Sequence, residues 1–192
     1  MTSDKVSVAL VHDWLNQYGG AERVLERLIQ IFPCAPIYTS MYWRKEMPNA
    51  YRQWDIRTTW MDSLPGIYRF HQVFFPLYAL AFGWLDLSQS GHDLILSNKS
   101  GFCHGVRTDG IPQLCYCLAP TRYVWEYDRY AVRENLPPIV KLLLKPLIHH
   151  LKRWDYRVAQ RRNTTYVAIS TEIQQRIRRY YGRDAEIIFP PV

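Results

Sequence analysis

A pair of glycines, Gly19 and Gly20, separates a short apolar run from an amphipathic segment near the start of the chain. The run at residues 6–11 is rich in β-branched side chains, which is typical of a buried central strand. The apolar spacing of residues 21–32 predicts a helix that begins directly after the glycines. We expect the glycines to adopt positive φ and to bring bare N–H groups close to a ligand. Free amides and the dipole of the first helical turn would attract an anion such as a phosphate.

The same segment lacks both of the common nucleotide signatures. A dinucleotide site requires G-x-G-x-x-G, and a P-loop ends in G-K-[ST]; neither pattern is present here. A strand-to-helix turn without a ligand therefore remains the alternative for Gly19 and Gly20.

Two further loops carry charged or aromatic side chains directly after predicted strands. Lys99 lies in a small polar loop after residues 94–96, and Arg122 and Tyr123 follow the strand at residues 114–118. Lys99 would supply a cation, Arg122 a bidentate fork and Tyr123 a stacking face. The alternatives are a solvated lysine, and an aromatic packing cluster in which Arg122 forms a structural ion pair.

The four cysteines do not form a metal pattern. Cys115 and Cys117 are closer together than in C-x2-C, and no histidine pair has zinc-finger spacing. We therefore expect Cys34, Cys103, Cys115 and Cys117 to be reduced core thiols, and we expect no metal. No signal segment opens the chain, so a cytoplasmic location is predicted.

Composition indicates a folded, aromatic-rich domain. The chain has 192 residues, of which 48% are hydrophobic, with seven Trp and fourteen Tyr, and this excludes a disordered chain. The net charge of +7 arises in the last quarter, because residues 1–140 carry as many acidic as basic side chains. No nucleic-acid reader motif accompanies the basic residues, so nucleic acid is not an expected partner.

Strands and helices are predicted to alternate along the chain. The predicted strands lie at residues 6–11, 35–39, 54–59, 94–96, 114–118, 164–169 and 186–189; the predicted helices lie at 21–32, 67–86, 137–158 and 170–181. Pro76 predicts a broken helix or two short helices, and Pro146 a kink or a restart. Alternation predicts an α/β fold, a Rossmann-like parallel sheet with helices on both faces. Ligand loops at 12–20, 97–104 and 118–125 should then gather at one edge.

Residues 137–158 combine an apolar stripe with a basic one. The apolar stripe consists of Val140, Leu143, Leu144, Leu147, Leu151, Trp154 and Val158, and the basic stripe of Lys141, Lys145, His149 and Lys152. Such a helix can lie on an anionic membrane surface. The alternative is a helix packed against the sheet with a solvated basic face.

Several stretches together resemble one enzyme family. They are HDW, YGGAERVLERL, ILSNKSGFCHGVR, CYCLAPTRYVWEY and RWDYRVAQRRNTTYVAISTEIQQRIRRYYGRDAEIIFPPV. In this order and spacing they are similar to the N-terminal half of group 1 (family four) retaining glycosyltransferases, over nearly the whole chain.

The resemblance implies one half of a GT-B architecture, in which two Rossmann-like domains face each other. Residues 1–192 would form the acceptor-side domain, and a donor-binding domain would follow Val192. The implied activity is transfer of a sugar, with retention, from a nucleotide-sugar to a glycan or lipid-linked acceptor in polysaccharide biosynthesis. It would occur in the cytoplasm or at the inner face of the membrane, without a cofactor. The isolated half is expected to be inactive.

The resemblance also assigns site residues. Gly19 and Gly20 match the loop near the donor diphosphate and the acceptor, while Asp13, Lys99, Arg122 and Tyr123 would contact the acceptor from loops that face the interdomain cleft.

One departure concerns the proton-transfer group. Many relatives have His-x-Pro where this chain has Leu118, Ala119 and Pro120. Leucine cannot transfer a proton, so either His12 or His104 substitutes, or activity is altered. A non-catalytic sugar- or nucleotide-binding or regulatory module with the same fold is therefore the alternative function.

Overall fold

One seven-stranded sheet forms the centre of the computed structural model, which describes residues 6–190. The strands are β1 Val8–His12, β2 Ile37–Thr39, β3 Ile56–Thr58, β4 Leu94–Lys99, β5 Gln113–Cys117, β6 Thr164–Ala168 and β7 Ala185–Ile187. They pair in the order β3-β2-β1-β4-β5-β6-β7, and all neighbours are parallel. The predicted Rossmann-like α/β fold is confirmed.

Seven α-helices, together with three short 3-10 helices, connect the strands within the described part of the chain. The α-helices are α1 Gly20–Ile31, α2 Ile67–Phe70, α3 Phe75–Trp84, α4 Arg122–Trp125, α5 Tyr127–Arg133, α6 Pro138–Ala159 and α7 Thr171–Tyr181. Residues 67–86 thus form two helices, and Pro76 lies in the first turn of α3. A proline is tolerated there because the first-turn amides have no intrahelical partner.

Both faces of the sheet are covered, because side chains alternate along each strand. Leu10 of β1 packs in the same cluster as Leu25 of α1 on one face. Val11 packs with Phe82 of α3 and Leu151 of α6 on the other face. Helices on both faces are therefore confirmed.

Helix α6 is continuous from Pro138 to Ala159 and includes Pro146. The predicted restart at Pro146 is wrong. Proline removes the amide that would bond to the carbonyl of Leu142, and because Leu142 is exposed, water can solvate that carbonyl. No helix among residues 6–190 is long and apolar enough to cross a bilayer.

The cysteines are free thiols, but they do not share one environment. Cys103, Cys115 and Cys117 are buried, as predicted for core thiols. Burial raises the pKa of the Cys117 thiol to about 12, which keeps it protonated. Cys34 is exposed after α1, so its prediction as a core thiol is wrong.

Candidate functional site

Two adjoining clefts open at the carboxyl edge of the sheet, beyond the ends of the paired strands β1 and β4. The first, here called the glycine cleft, has a volume of about 370 Å³ and is lined by Gly19, Gly20, Glu22, Ser100, Arg122 and Tyr123, among others. The second, the Leu118 cleft, has a volume of about 690 Å³ and shares Gly20, Ser100 and Arg122 with the first. Strand order reverses at β1 and β4, which is where open α/β sheets bind ligands.

Gly19 and Gly20 form the start of α1 beside these clefts. Gly19 has a φ of −152° and is extended, and neither glycine has positive φ, so that expectation is wrong. The Gly19 N–H donates to Oε2 of Glu22 at 2.8 Å and thereby fixes the turn. A Cβ added to Gly20 would meet no atom within 4 Å. Gly20 therefore leaves the cleft open beside first-turn amides that have no intrahelical acceptor.

His12 lies behind the glycine turn in a buried hydrogen-bonded row. The Asn98 side-chain amide donates to the Ala21 carbonyl at 2.8 Å, which fixes its orientation, and its nitrogen lies 3.2 Å from Nδ1 of His12. Nδ1 therefore accepts, and Nε2–H faces Oε1 of Glu22 at 3.3 Å. His12 is only 1% exposed, so it reaches the glycine cleft only through Glu22.

Asp13 fastens the loop that follows β4. Its carboxylate accepts the backbone N–H groups of Ser100 and Gly101 at 2.6 Å each and of Cys103 at 2.8 Å. A Cβ at Gly101 would lie 2.9 Å from Oδ1 of Asp13, so the loop fits tightly around this carboxylate. Asp13 is 1% exposed and has a structural role, which argues against its predicted contact with an acceptor.

Lys99 is fully buried beneath the same loop. Its ammonium donates to the Gly101 carbonyl at 2.7 Å and to the Thr121 hydroxyl at 3.2 Å. Burial is the largest single effect on the pKa of Lys99 and lowers it, but Asp155 and the other acidic groups nearby together outweigh burial, and the pKa is raised. Lys99 is thus a buried structural cation. Neither the predicted acceptor contact nor the solvated alternative describes it.

Asp155 is the counter-charge that sequence reasoning missed. This fully buried residue of α6 accepts the Trp125 indole N–H at 2.6 Å and the Tyr181 hydroxyl at 2.8 Å. The Asp155 network therefore connects α4, α6 and α7 to Lys99 at the end of β4. No local pattern could have shown it, because its partners lie 26 or more residues away in sequence.

His104 is also in the interior and does not reach either cleft. It is fully buried, with Nε2 3.3 Å from Oδ1 of Asp155. Burial, followed by the positive charge of Lys99, holds the pKa of His104 well below its usual value. Because His104 is fully buried and lines neither cleft, its position argues against a role in proton transfer to a substrate.

Arg122 and Tyr123 lie where they were predicted, at the cleft, but in different environments. Arg122 is exposed, lines both clefts, and forms no ion pair or side-chain hydrogen bond within residues 6–190. The alternative of a structural ion pair for Arg122 is wrong. Tyr123 is half-buried, and its ring packs edge-on against Phe75 and Phe102, with a distance of 5.7 Å between ring centroids in each pair. The packing alternative therefore holds for Tyr123, although its side chain still lines the glycine cleft.

Two arginines from α5 also line the glycine cleft, and sequence reasoning missed them. Arg129 has no ion pair within the described residues, and Arg133 is exposed beside Glu134 at 2.9 Å. Glu126, a cleft acid, is already paired with Arg176 at 3.2 Å. The cleft therefore has uncommitted positive charge. The i, i+4 spacing of Arg129 and Arg133 was the available signal, but helix α5 was not predicted.

Leu118 lines the second cleft and is half-buried just beyond β5. The position at which many relatives of the resembled family carry histidine therefore faces a cavity, with an apolar side chain. Within residues 6–190, no group of three or more His, Cys, Asp or Glu could hold a metal ion.

Comparisons of this chain with protein-family models, curated proteins and solved structures found no match.

Proposed function

We propose that this chain is the acceptor-side, N-terminal domain of a retaining glycosyltransferase of GT-B architecture. It would help transfer a sugar from a nucleotide-sugar to a glycan or lipid-linked acceptor. The observation that supports this most is an uncommitted guanidinium, Arg122, which lines an open cleft together with the free first-turn amides of α1.

Such a site suits a departing nucleotide diphosphate. Negative charge develops on the diphosphate as the glycosidic bond breaks, and amides at a helix N-terminus and an arginine stabilise it without a metal. In this proposal a donor-binding domain outside residues 1–192 forms the opposite wall, and the present chain alone does not turn over. No general base is assigned.

The alternative function is a non-catalytic sugar- or nucleotide-binding or regulatory module. Leu118 favours this alternative, because an apolar side chain facing the Leu118 cleft cannot transfer a proton. A nucleotide-binding module would also hold an anion at Gly20 and Arg122, but only the enzyme requires turnover of a nucleotide-sugar.

We also propose that the protein binds the cytoplasmic face of an anionic membrane through residues 137–158. Ile139, Leu142 and Leu143 in the first turns of α6 are 59–70% exposed, and Lys145 is exposed beside them. Exposed apolar and basic side chains on one helix suit a surface of acidic lipids.

Pyrophosphate is a direct probe of the phosphate site. In ¹⁵N-resolved NMR of the chain, added pyrophosphate is expected to shift the amides of Gly20, Ala21 and Ser100. Arg122→Ala should weaken the response at least about tenfold, because a charge-assisted contact is lost. The matched control is Arg27→Ala, an exposed arginine further along α1. Shifts confined to α6, or an unchanged response in Arg122→Ala, would contradict the site.

A further inference from the structure

An apolar groove lies beside the glycine cleft, between the α2–α3 link, α5 and the first half of α6. Its volume is about 380 Å³, and its apolar lining residues include Val73, Phe75, Leu136, Val140, Leu144 and Ile148. Tyr127, Ala131 and Ile148 form a buried cluster there, against which Phe75, Leu136 and Leu144 pack. This surface can bury hydrocarbon but has few groups that could bond to a glycan.

The apolar groove and the glycine cleft share a wall. Tyr123 and Tyr130 line both cavities. Tyrosine suits such a boundary, because its ring is apolar and its hydroxyl is polar. A ligand that passes these two rings would therefore have one end among arginines and the other among aliphatic side chains.

The charges on the two sides of that boundary differ. Arg122 and Arg129 have no ion pair within the described residues, and both line the glycine cleft. Glu134 is the one acidic residue among those lining the groove, and it is paired with Arg133 at 2.9 Å. The arginine side is therefore complementary to a phosphate and the groove side to an uncharged chain.

The groove is also open to the outside through exposed apolar residues. Val73 lines the groove and is 73% exposed, while Leu143 of α6 is 70% exposed. A hydrocarbon chain could therefore reach the groove at Val73.

We propose that the apolar groove holds the hydrocarbon chain of an anionic lipid acceptor, whose phosphate lies in the glycine cleft against Arg129, while Arg122, which lines both clefts, is left to the donor diphosphate. This inference rests on the proposed transferase function and narrows its acceptor to a phosphate-bearing lipid in preference to a free glycan. The two cavities with a common tyrosine wall match the two ends of such a molecule.

Decyl phosphate is a suitable probe, with decanol and inorganic phosphate as its separated halves. Calorimetric titration of the chain, below the concentration at which the probe aggregates, should show decyl phosphate binding at least about tenfold more tightly than either half. Val73→Glu should weaken decyl phosphate at least about fivefold and leave inorganic phosphate unchanged, because it adds charge to the groove alone. Val73 is exposed, so this variant should fold, and its melting temperature checks that.

Leu142→Glu is the matched control. Leu142 is 59% exposed on α6 and does not line the groove, so the same substitution should leave decyl phosphate binding unchanged. Equal weakening by both variants, or decyl phosphate binding no tighter than inorganic phosphate, would overturn the inference. Failure here would leave the pyrophosphate shifts at Gly20 intact, whereas failure of the phosphate site would remove those shifts.

Discussion

Lys99 and Asp155 are opposite charges buried beneath the clefts, and both contact the Thr121 hydroxyl. Lys99 holds the loop after β4 through the carbonyl of Gly101, and Asp155 connects that loop to α4 and α7 through Trp125 and Tyr181. The same low-dielectric interior that strengthens the pair makes either charge costly when it is left alone.

Lys99→Met is therefore expected to destabilise the fold by about 3 to 5 kcal/mol, because Asp155 loses its counter-charge while it stays buried. Urea unfolding measures this change. The double variant Lys99→Met/Asp155→Asn removes the uncompensated charge and should recover part of the loss. Unchanged stability of Lys99→Met would contradict the structural role of Lys99.

His104 gives the fold a predictable pH dependence. Its pKa is well below 6.5 in the folded state because of burial and the charge of Lys99, so the unfolded chain binds a proton below pH 6.5 that the folded chain does not. The stability contribution of this group is complete above pH 6.5 and is lost as pH falls, by up to about 1.4 kcal/mol per pH unit. His71 and His92, whose pKa values are also lowered by burial, add to the same trend.

His104→Phe should flatten the decline in unfolding free energy between pH 7 and pH 5, measured by urea unfolding at each pH. The other histidines are common to both proteins, so the difference in slope belongs to His104. Identical slopes would mean that His104 titrates freely, which would restore it as a candidate proton donor.

At the residue scale, the sequence showed which side chains lie at strand ends but not which residues they contact. Arg122 was predicted at a ligand cleft and lies there. No acidic side chain among the described residues forms an ion pair with it. Asp13 and Lys99 were predicted there too, yet the first accepts three loop amides and the second faces Asp155, 56 residues away. Such long-range pairings leave no local periodicity.

At the scale of single elements, local signals predicted the regular segments well. Ser170 accepts the N–H of Ile173 at 3.2 Å and Gly182 has a φ of 63°, so both ends of α7 follow from residue type. Helices α4 and α5 were not predicted, because the Tyr and Trp side chains of residues 122–133 do not follow the apolar spacing of an amphipathic helix. The continuity of α6 was not predicted. Pro146 lies on an exposed face, where losing one helical hydrogen bond costs less free energy than it would in the interior.

Helix α6 divides into an exposed half and a packed half. Leu151 and Val158 in the second half are buried, whereas Leu143, predicted within the same packed stripe, is 70% exposed. Lys152 lies 6.0 Å from the centre of the Trp125 ring and is half-buried. The membrane-binding surface should therefore be limited to the first half of the helix.

Liposome flotation tests this division. Changing Lys141, Lys145 and Lys152 together to Glu should reduce flotation with anionic vesicles, because each basic residue contributes about 1 kcal/mol near such a surface. Lys152→Glu alone is the matched control and should have little effect. Equal flotation of the triple variant and the unchanged chain would remove the membrane proposal.

At the scale of the whole molecule, alternation of strands and helices was enough to predict the parallel sheet, since right-handed crossovers leave few topologies. The edge at which the loops gather followed from the same rule. What could not be predicted was which loop side chains face outward, because this depends on how Asp155 and the loop glycines pack. The clefts at Gly20 and Arg122 are the result, and they lie at the reversal between β1 and β4.

Gly20 provides the variant that tests the proposed enzyme at this scale. A Cβ at Gly20 meets no atom, so the fold should tolerate Gly20→Trp while the indole fills the cleft. Gln30→Trp is the matched control, because Gln30 is exposed near the other end of α1.

The decisive measurement is transfer of labelled sugar from a panel of nucleotide-sugars to a lipid-linked or glycan acceptor, by the gene product that carries residues 1–192. We expect donor-dependent transfer with retention by the unchanged protein and by Gln30→Trp. Gly20→Trp should lose at least about a hundredfold in rate because reacting groups are displaced. Absence of transfer from every nucleotide-sugar, or full activity of Gly20→Trp, would contradict the proposed function.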